Sequence, residues 1–182
     1  MIQILRHLTA GLTVLSVLWS PGESFAAHAP GPGPIRVGAL YPLSGSQGEG
    51  GKEEYHGVRV AASLVNTVGG VHGRRIDFPP LDAPSADAAP TAIDQLKRQG
   101  VPIVVGSYGS TISLPASAEA QRQGVVFWES GAVATMVTER GYPNVFRTVT
   151  TGESLGRAAT RYAASVIAPA LRTRDRICGR SV

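Results

Sequence analysis

Cysteine is almost absent: Cys178 is the only one in 182 residues. A disulfide framework and any multi-cysteine zinc or iron–sulfur centre are therefore excluded. The four histidines (His7, His28, His56, His72) have no paired ligand spacing, so no metal site is expected. Aromatic residues make up 6% and charged residues 16% of the chain, against 43% hydrophobic, too apolar a balance for a disordered segment. The longest apolar run, residues 8–19, is 12 residues, well short of the roughly 20 needed to span a bilayer. A basic stripe is also missing. The net charge of +4 is concentrated in the last dozen residues, while residues 27–169 hold 12 Lys and Arg against 11 Asp and Glu. Nucleic-acid binding needs basic charge on the folded body, so no nucleic-acid partner is expected. No G-x-G-x-x-G follows the first strand, and neither a G-x-S-x-G elbow nor a P-loop occurs. Asp77 and Asp82 flank an edge strand and read as solvated loop acids. The chain is therefore expected to be neither an enzyme nor a cofactor carrier.

What is present begins with an address. A weakly positive start with Arg6, the short apolar run and the small residues Ser24-Phe25-Ala26-Ala27 describe a secretory signal peptide over 1–26. No cysteine lies near the cleavage site, so a freely diffusing periplasmic product is expected, with no lipid anchor. Alternating Pro and Gly make 27–34 a linker.

From there the pattern alternates. Strands are expected at 35–41, 75–81, 101–106 and 125–128, with Pro79-Pro80 confining the second to an edge. Helices are expected at 53–68, 85–99, 110–123 (regular from about Leu114), 135–140 and 153–167, with a short extended piece at Val145–Arg147. Residues 44–51, with four glycines, are expected to be loop. This alternation predicts an α/β fold: a Rossmann-like parallel sheet with helices on both faces. Ligands of such sheets bind outside the carboxyl ends of the strands.

Three turns stand at those ends. They are Tyr41-Pro42-Leu43-Ser44-Gly45-Ser46, Gly106-Ser107-Tyr108-Gly109-Ser110-Thr111, and Glu129-Ser130-Gly131-Ala132-Val133. The second opens a helix, where free N–H groups and the Ser110 and Thr111 hydroxyls can hold a carboxylate; alternatively one of these residues is only an N-cap. Glu129 closes an apolar strand, and its role stays open between ligand contact and a structural bond to a nearby helix start.

At these loops the sequence resembles the type I periplasmic binding proteins, in the leucine/isoleucine/valine-binding family that serves ABC importers. The likeness runs from about residue 35 to 171. It is carried by Ile35-Arg36-Val37-Gly38 leading to Pro42-Leu43-Ser44-Gly45, by Gly69-Gly70-Val71-His72-Gly73-Arg74-Arg75-Ile76, by Gly106 to Ser110-Thr111 with Pro115-Ala116-Ser117, and by Thr138-Glu139-Arg140-Gly141-Tyr142 with Val145-Phe146-Arg147-Thr148. The resemblance implies a non-enzymatic solute receptor of two lobes that close on a ligand and dock on a membrane permease. It also implies that Ser110 and Thr111 bind a ligand carboxylate, and that Gly131, Ala132 and Val133 bind the ligand's amino and carboxylate ends. Val133 departs from the family's threonine, and Gly109 stands where branched-chain members have a cysteine. Both departures weaken the case for a leucine-like ligand, and Trp128-Glu129-Ser130-Gly131-Ala132 resembles a subgroup whose ligands include other carboxylates, aromatic acids among them. The expected function is substrate binding for import of amino acids or related small carboxylates, the alternative being a ligand-sensing domain built on the same lobe. The family's second lobe is missing after residue 171, and 172–182 is a basic tail of different composition. A truncated copy of the N-terminal lobe, binding weakly or not at all alone, is the resulting expectation.

Overall fold

A computed structural model of the chain describes residues 33–171. The expected leader and basic tail, and most of the linker, lie outside them. Two parallel sheets form. Strand β1 (Ile35–Arg36) pairs with β3 (Ile76–Asp77), and β2 (Gly38–Tyr41) lies in a five-stranded sheet with β4 (Pro80–Asp82), β5 (Ile103–Gly106), β6 (Val126–Glu129) and β7 (Val145–Arg147). The order of the larger sheet is β4-β2-β5-β6-β7, all parallel. The expected strands at 35–41 and 75–81 are each broken in two, the second at Pro79, which has no N–H to extend a ladder.

Period-two alternation decides which helix covers which face. Leu40, Val104 and Phe127 join the buried cluster with Ile93 and Leu96 of α2 (Ala88–Arg98) and Ile112, Ala116 and Ala120 of α3 (Ser110–Gln123). Tyr41 points the other way, its ring 6.2 Å from that of Tyr55 on α1 (Gly48–Thr67). Helices thus lie on both faces, as expected, but the second face is only partly covered. Over β5, β6 and β7, Ile103, Trp128 and Phe146 remain 37%, 41% and 44% exposed, with the last two rings stacked at 5.6 Å. Parallel sheets are normally buried on both faces, so this bare half is unusual.

The remaining helices are α4 (Met136–Glu139) and α5 (Gly152–Tyr162), the latter running into a π-helical turn (Ala163–Ile167). Thr151 caps α5 by accepting from the Ser154 N–H at 3.2 Å. Along α5 and the π-helical turn, Leu155, Tyr162, Val166 and Ile167 are exposed.

Two helix starts differ from expectation by more than three residues. Helix α1 starts at Gly48, inside the stretch read as loop. A side chain on Gly51 would collide with the Pro42 carbonyl, and one on Gly50 with the Tyr108 ring, so these glycines let the first turn press against the sheet end. Helix α3 is regular from Ser110 despite Pro115.

Candidate functional site

The three glycine-rich turns meet at one rim. The Ser110 hydroxyl oxygen accepts the Ala134 N–H at 3.1 Å, so the turn after β5 touches the turn after β6. From the turn after β2, the Gln47 side-chain amide donates to the Thr111 hydroxyl at 3.1 Å. Its amide lies against the Gly109 Cα, where any side chain would collide with it.

Neither Ser110 nor Thr111 serves as the N-cap. That position is Gly109, in extended conformation with φ −110°, and no side chain caps α3. Both hydroxyl oxygens instead act as acceptors toward the protein. A hydroxyl carries one donor and two acceptor lone pairs, so each O–H proton remains available to an incoming acceptor. The first N–H groups of α3 have no intrahelical acceptor and carry the positive end of the helix dipole. These features together suit an anion.

Glu129 resolves to a structural part. It is fully buried, on the same face as Phe127, and one carboxylate oxygen accepts the N–H groups of Gly131 (2.8 Å) and Ala132 (2.7 Å). It therefore braces its own loop. Its second oxygen lacks a partner at ordinary hydrogen-bond geometry, although the Ser113 hydroxyl and the Ser107 N–H are near enough to favour its charge. Burial is the stronger influence and pushes its pKa above the ordinary carboxylate range. The consequence for the loop is direct: the Gly131 and Ala132 N–H groups are already engaged. Arg147 holds the same loop, its guanidinium donating to the Ala134 carbonyl at 2.5 Å, and the Gly152 N–H ties the Val133 carbonyl to the start of α5 at 2.8 Å. Among the predicted residues, Ala132 is buried and Val133 is 42% exposed.

Sequence reasoning missed Tyr41, Gln47 and Glu54. Tyr41 is buried, and its hydroxyl shares a 2.8 Å hydrogen bond with Ser130; burial pushes its pKa up to about 12. The Ser130 hydroxyl also faces Glu54 at 3.4 Å. Glu54, on α1, lies against the Gly131 Cα, where a side chain would strike its carboxylate. Burial first, and the Glu129 charge second, push Glu54 up to about 7. Asp82 is exposed, as read from the sequence, and also clamps the β2 turn by accepting the Leu43 N–H (2.8 Å), the Ser44 N–H (3.3 Å) and the Ser44 hydroxyl (2.5 Å). An open groove of 330 Å³ lined by Ser46, Gln47, Glu49, Gly50, Glu53 and Tyr108 flanks the rim. A larger hollow of 580 Å³, lined by Gly33, Arg74, Ile76 and Asp77 among others, lies beside β1 and β3 and is remote from these turns. Among the described residues no group of His, Cys, Asp and Glu is arranged to hold a metal, and no helix is long and apolar enough to cross a membrane.

Comparison with known proteins decides the family. Residues 34–169 match the profile of the family described as "Periplasmic binding protein". The chain belongs to the periplasmic binding protein family. It is 33% identical over 138 residues to the Leu/Ile/Val-binding protein homolog 8 of Brucella abortus (strain 2308), a match covering 75% of this chain and 34% of that protein. Among solved structures it is similar to the branched-chain amino acid transporter substrate-binding protein LivJ of Streptococcus pneumoniae in complex with isoleucine. That likeness has 27% identity and a TM-score of 0.60, covering 65% of this chain and 34% of the other. The leucine-binding protein LivK of Thermotoga maritima shares the fold at a TM-score of 0.65 and 20% identity, over 74% of this chain and 38% of its own. This periplasmic binding protein chain thus spans about a third of the length of the curated relatives it matches.

Proposed function

We propose that this chain is the N-terminal ligand-binding lobe of the substrate-binding component of an ABC importer for amino acids or related small carboxylates. Ser110 and Thr111 hold the ligand carboxylate, and the loop of Gly131, Ala132 and Val133 lines the other side. The single observation that carries the reading is the 3.1 Å contact between the Ser110 hydroxyl and the Ala134 N–H, which puts both loops at one rim. Because Glu129 occupies the Gly131 and Ala132 N–H groups, these two residues contribute carbonyl and Cα surface to a ligand.

The role is capture without catalysis, with no cofactor. Residues 1–26 export the chain as a signal peptide, placing it free in the periplasm, and residues 35–171 are the lobe. The membrane partner of the full-length form is the permease. A ligand on one lobe stays wet on its other side, so its hydrogen bonds compete with water and affinity is millimolar or weaker. Thr111→Val tests the site: it removes one hydroxyl at nearly constant shape. Loss of a hydrogen bond to a charged group costs about 1.5–3 kcal/mol, so carboxylate affinity should fall at least about tenfold. Unchanged affinity in a ligand-observed NMR titration would remove Thr111 from the site.

A further inference from the structure

We infer that Glu54 is a specificity-determining residue that receives the protonated amine of the ligand, so that the site selects zwitterionic amino acids over plain carboxylates. This rests on the carboxylate site of Ser110, Thr111 and the 131–133 loop.

The argument begins with contact. Glu54 reaches from α1 onto the Cα of Gly131, and the missing side chain there is what gives it room. A ligand lying on Gly131 therefore meets the Glu54 carboxylate. Glu129 is on the opposite side of this loop: it braces the loop from the Phe127 face, whereas Glu54 comes from the Tyr41 face.

Next comes hydrogen-bond capacity. An ionised carboxylate accepts at about four lone-pair sites. Among the described residues the only hydrogen bond to Glu54 is from Ser130, at 3.4 Å, and that hydroxyl is also shared with Tyr41. No Lys, Arg or His pairs with Glu54: the ion pairs among the described residues are Arg98–Asp94, Arg122–Glu119 and Arg157–Glu153. A part-buried carboxylate without a cation is unfavourable in the empty protein. A ligand ammonium supplies both the missing charge and several N–H donors, and such charge-assisted bonds are among the stronger ones. A ligand bearing only a carboxylate supplies neither, and adds like-charge repulsion.

The polarity of the rim then reads as a sequence of charges. The N-terminus of α3 with two O–H donors takes the negative end of a ligand, and Glu54, one loop away, takes the positive end. The open groove beside Gly50 and Tyr108 is left for the side chain.

The test compares L-leucine with 4-methylpentanoate, which has the same carbon skeleton and no amine, on the full 182-residue chain at pH 8 by ligand-observed NMR. L-leucine should bind about tenfold or more tightly than the acid. In Glu54→Gln the two should come within about threefold, through weaker leucine and stronger acid binding. Glu54→Asp, which keeps the charge on a shorter arm, should give an intermediate ratio and serves as the reading if the Gln variant does not fold. An unchanged ratio in the variants, with both ligands still bound, overturns the role of Glu54 alone. Failure of both ligands to bind the unaltered chain overturns the carboxylate site itself, and this inference with it.

Discussion

Replacing Glu54 by Gln should change how stability depends on pH, in a defined direction. Glu54 is pushed from 4.5 up to about 7 by burial and by the Glu129 charge. The folded state thus binds a proton more tightly than the unfolded state. The stability associated with that proton is complete below about pH 4.5, declines between 4.5 and 7, and is gone above the folded value. One pKa unit corresponds to 1.36 kcal/mol, so the full shift sets a ceiling of about 3 kcal/mol. Solvent reaches part of this side chain, which brings the expected value to about 1–2 kcal/mol. Gln resembles the protonated acid in shape but cannot ionise. The variant should match the parent near pH 4.5 and exceed it by about 1–2 kcal/mol at pH 8. Urea unfolding followed by circular dichroism across pH 4.5–8 measures this. A difference that stays flat over that range would refute the argument that Glu54 sits desolvated and without a cation.

Two further outcomes follow from the same geometry. Glu129→Ala leaves the Gly131 and Ala132 N–H groups without their acceptor in a buried site, and should cost about 2–4 kcal/mol in urea unfolding. Glu129→Gln keeps an acceptor there and should cost clearly less. On the bare half of the sheet, replacing Trp128 and Phe146 together by Thr should raise the soluble fraction measured by sedimentation, because a contiguous apolar patch promotes association.

Much of the fold was legible because the buried strands are short, continuous apolar runs: Val104 and Val105 in β5, and Val126 to Trp128 in β6, bounded by glycine or polar residues. Helix starts were harder. Gly48, Gly50 and Gly51 have the composition of a loop, yet they open α1, because close approach to Pro42 and Tyr108 requires the absence of side chains. That requirement exists only once the chain is folded. The bare half of the second face was also invisible, since Trp128 and Phe146 look like ordinary strand residues until the layers are counted. At the site, the chain-end rule for parallel sheets located the three turns, and Ser110 does meet the loop after β6. The role of Glu129 could not be read from its position alone; alternation from Phe127 places it beneath its own loop. Glu54 and Gln47 gave no signal, because a polar residue on a helix is ordinary until its neighbour across space is known.

The most direct measurement is the map of backbone amide shifts in ¹⁵N-labelled protein titrated with L-leucine to tens of millimolar. The account predicts that Ser110, Thr111 and residues 130–134 move together along one saturating curve, while the hollow beside Arg74 and Asp77 stays still. Shifts confined to that hollow, or none at the rim, would contradict it.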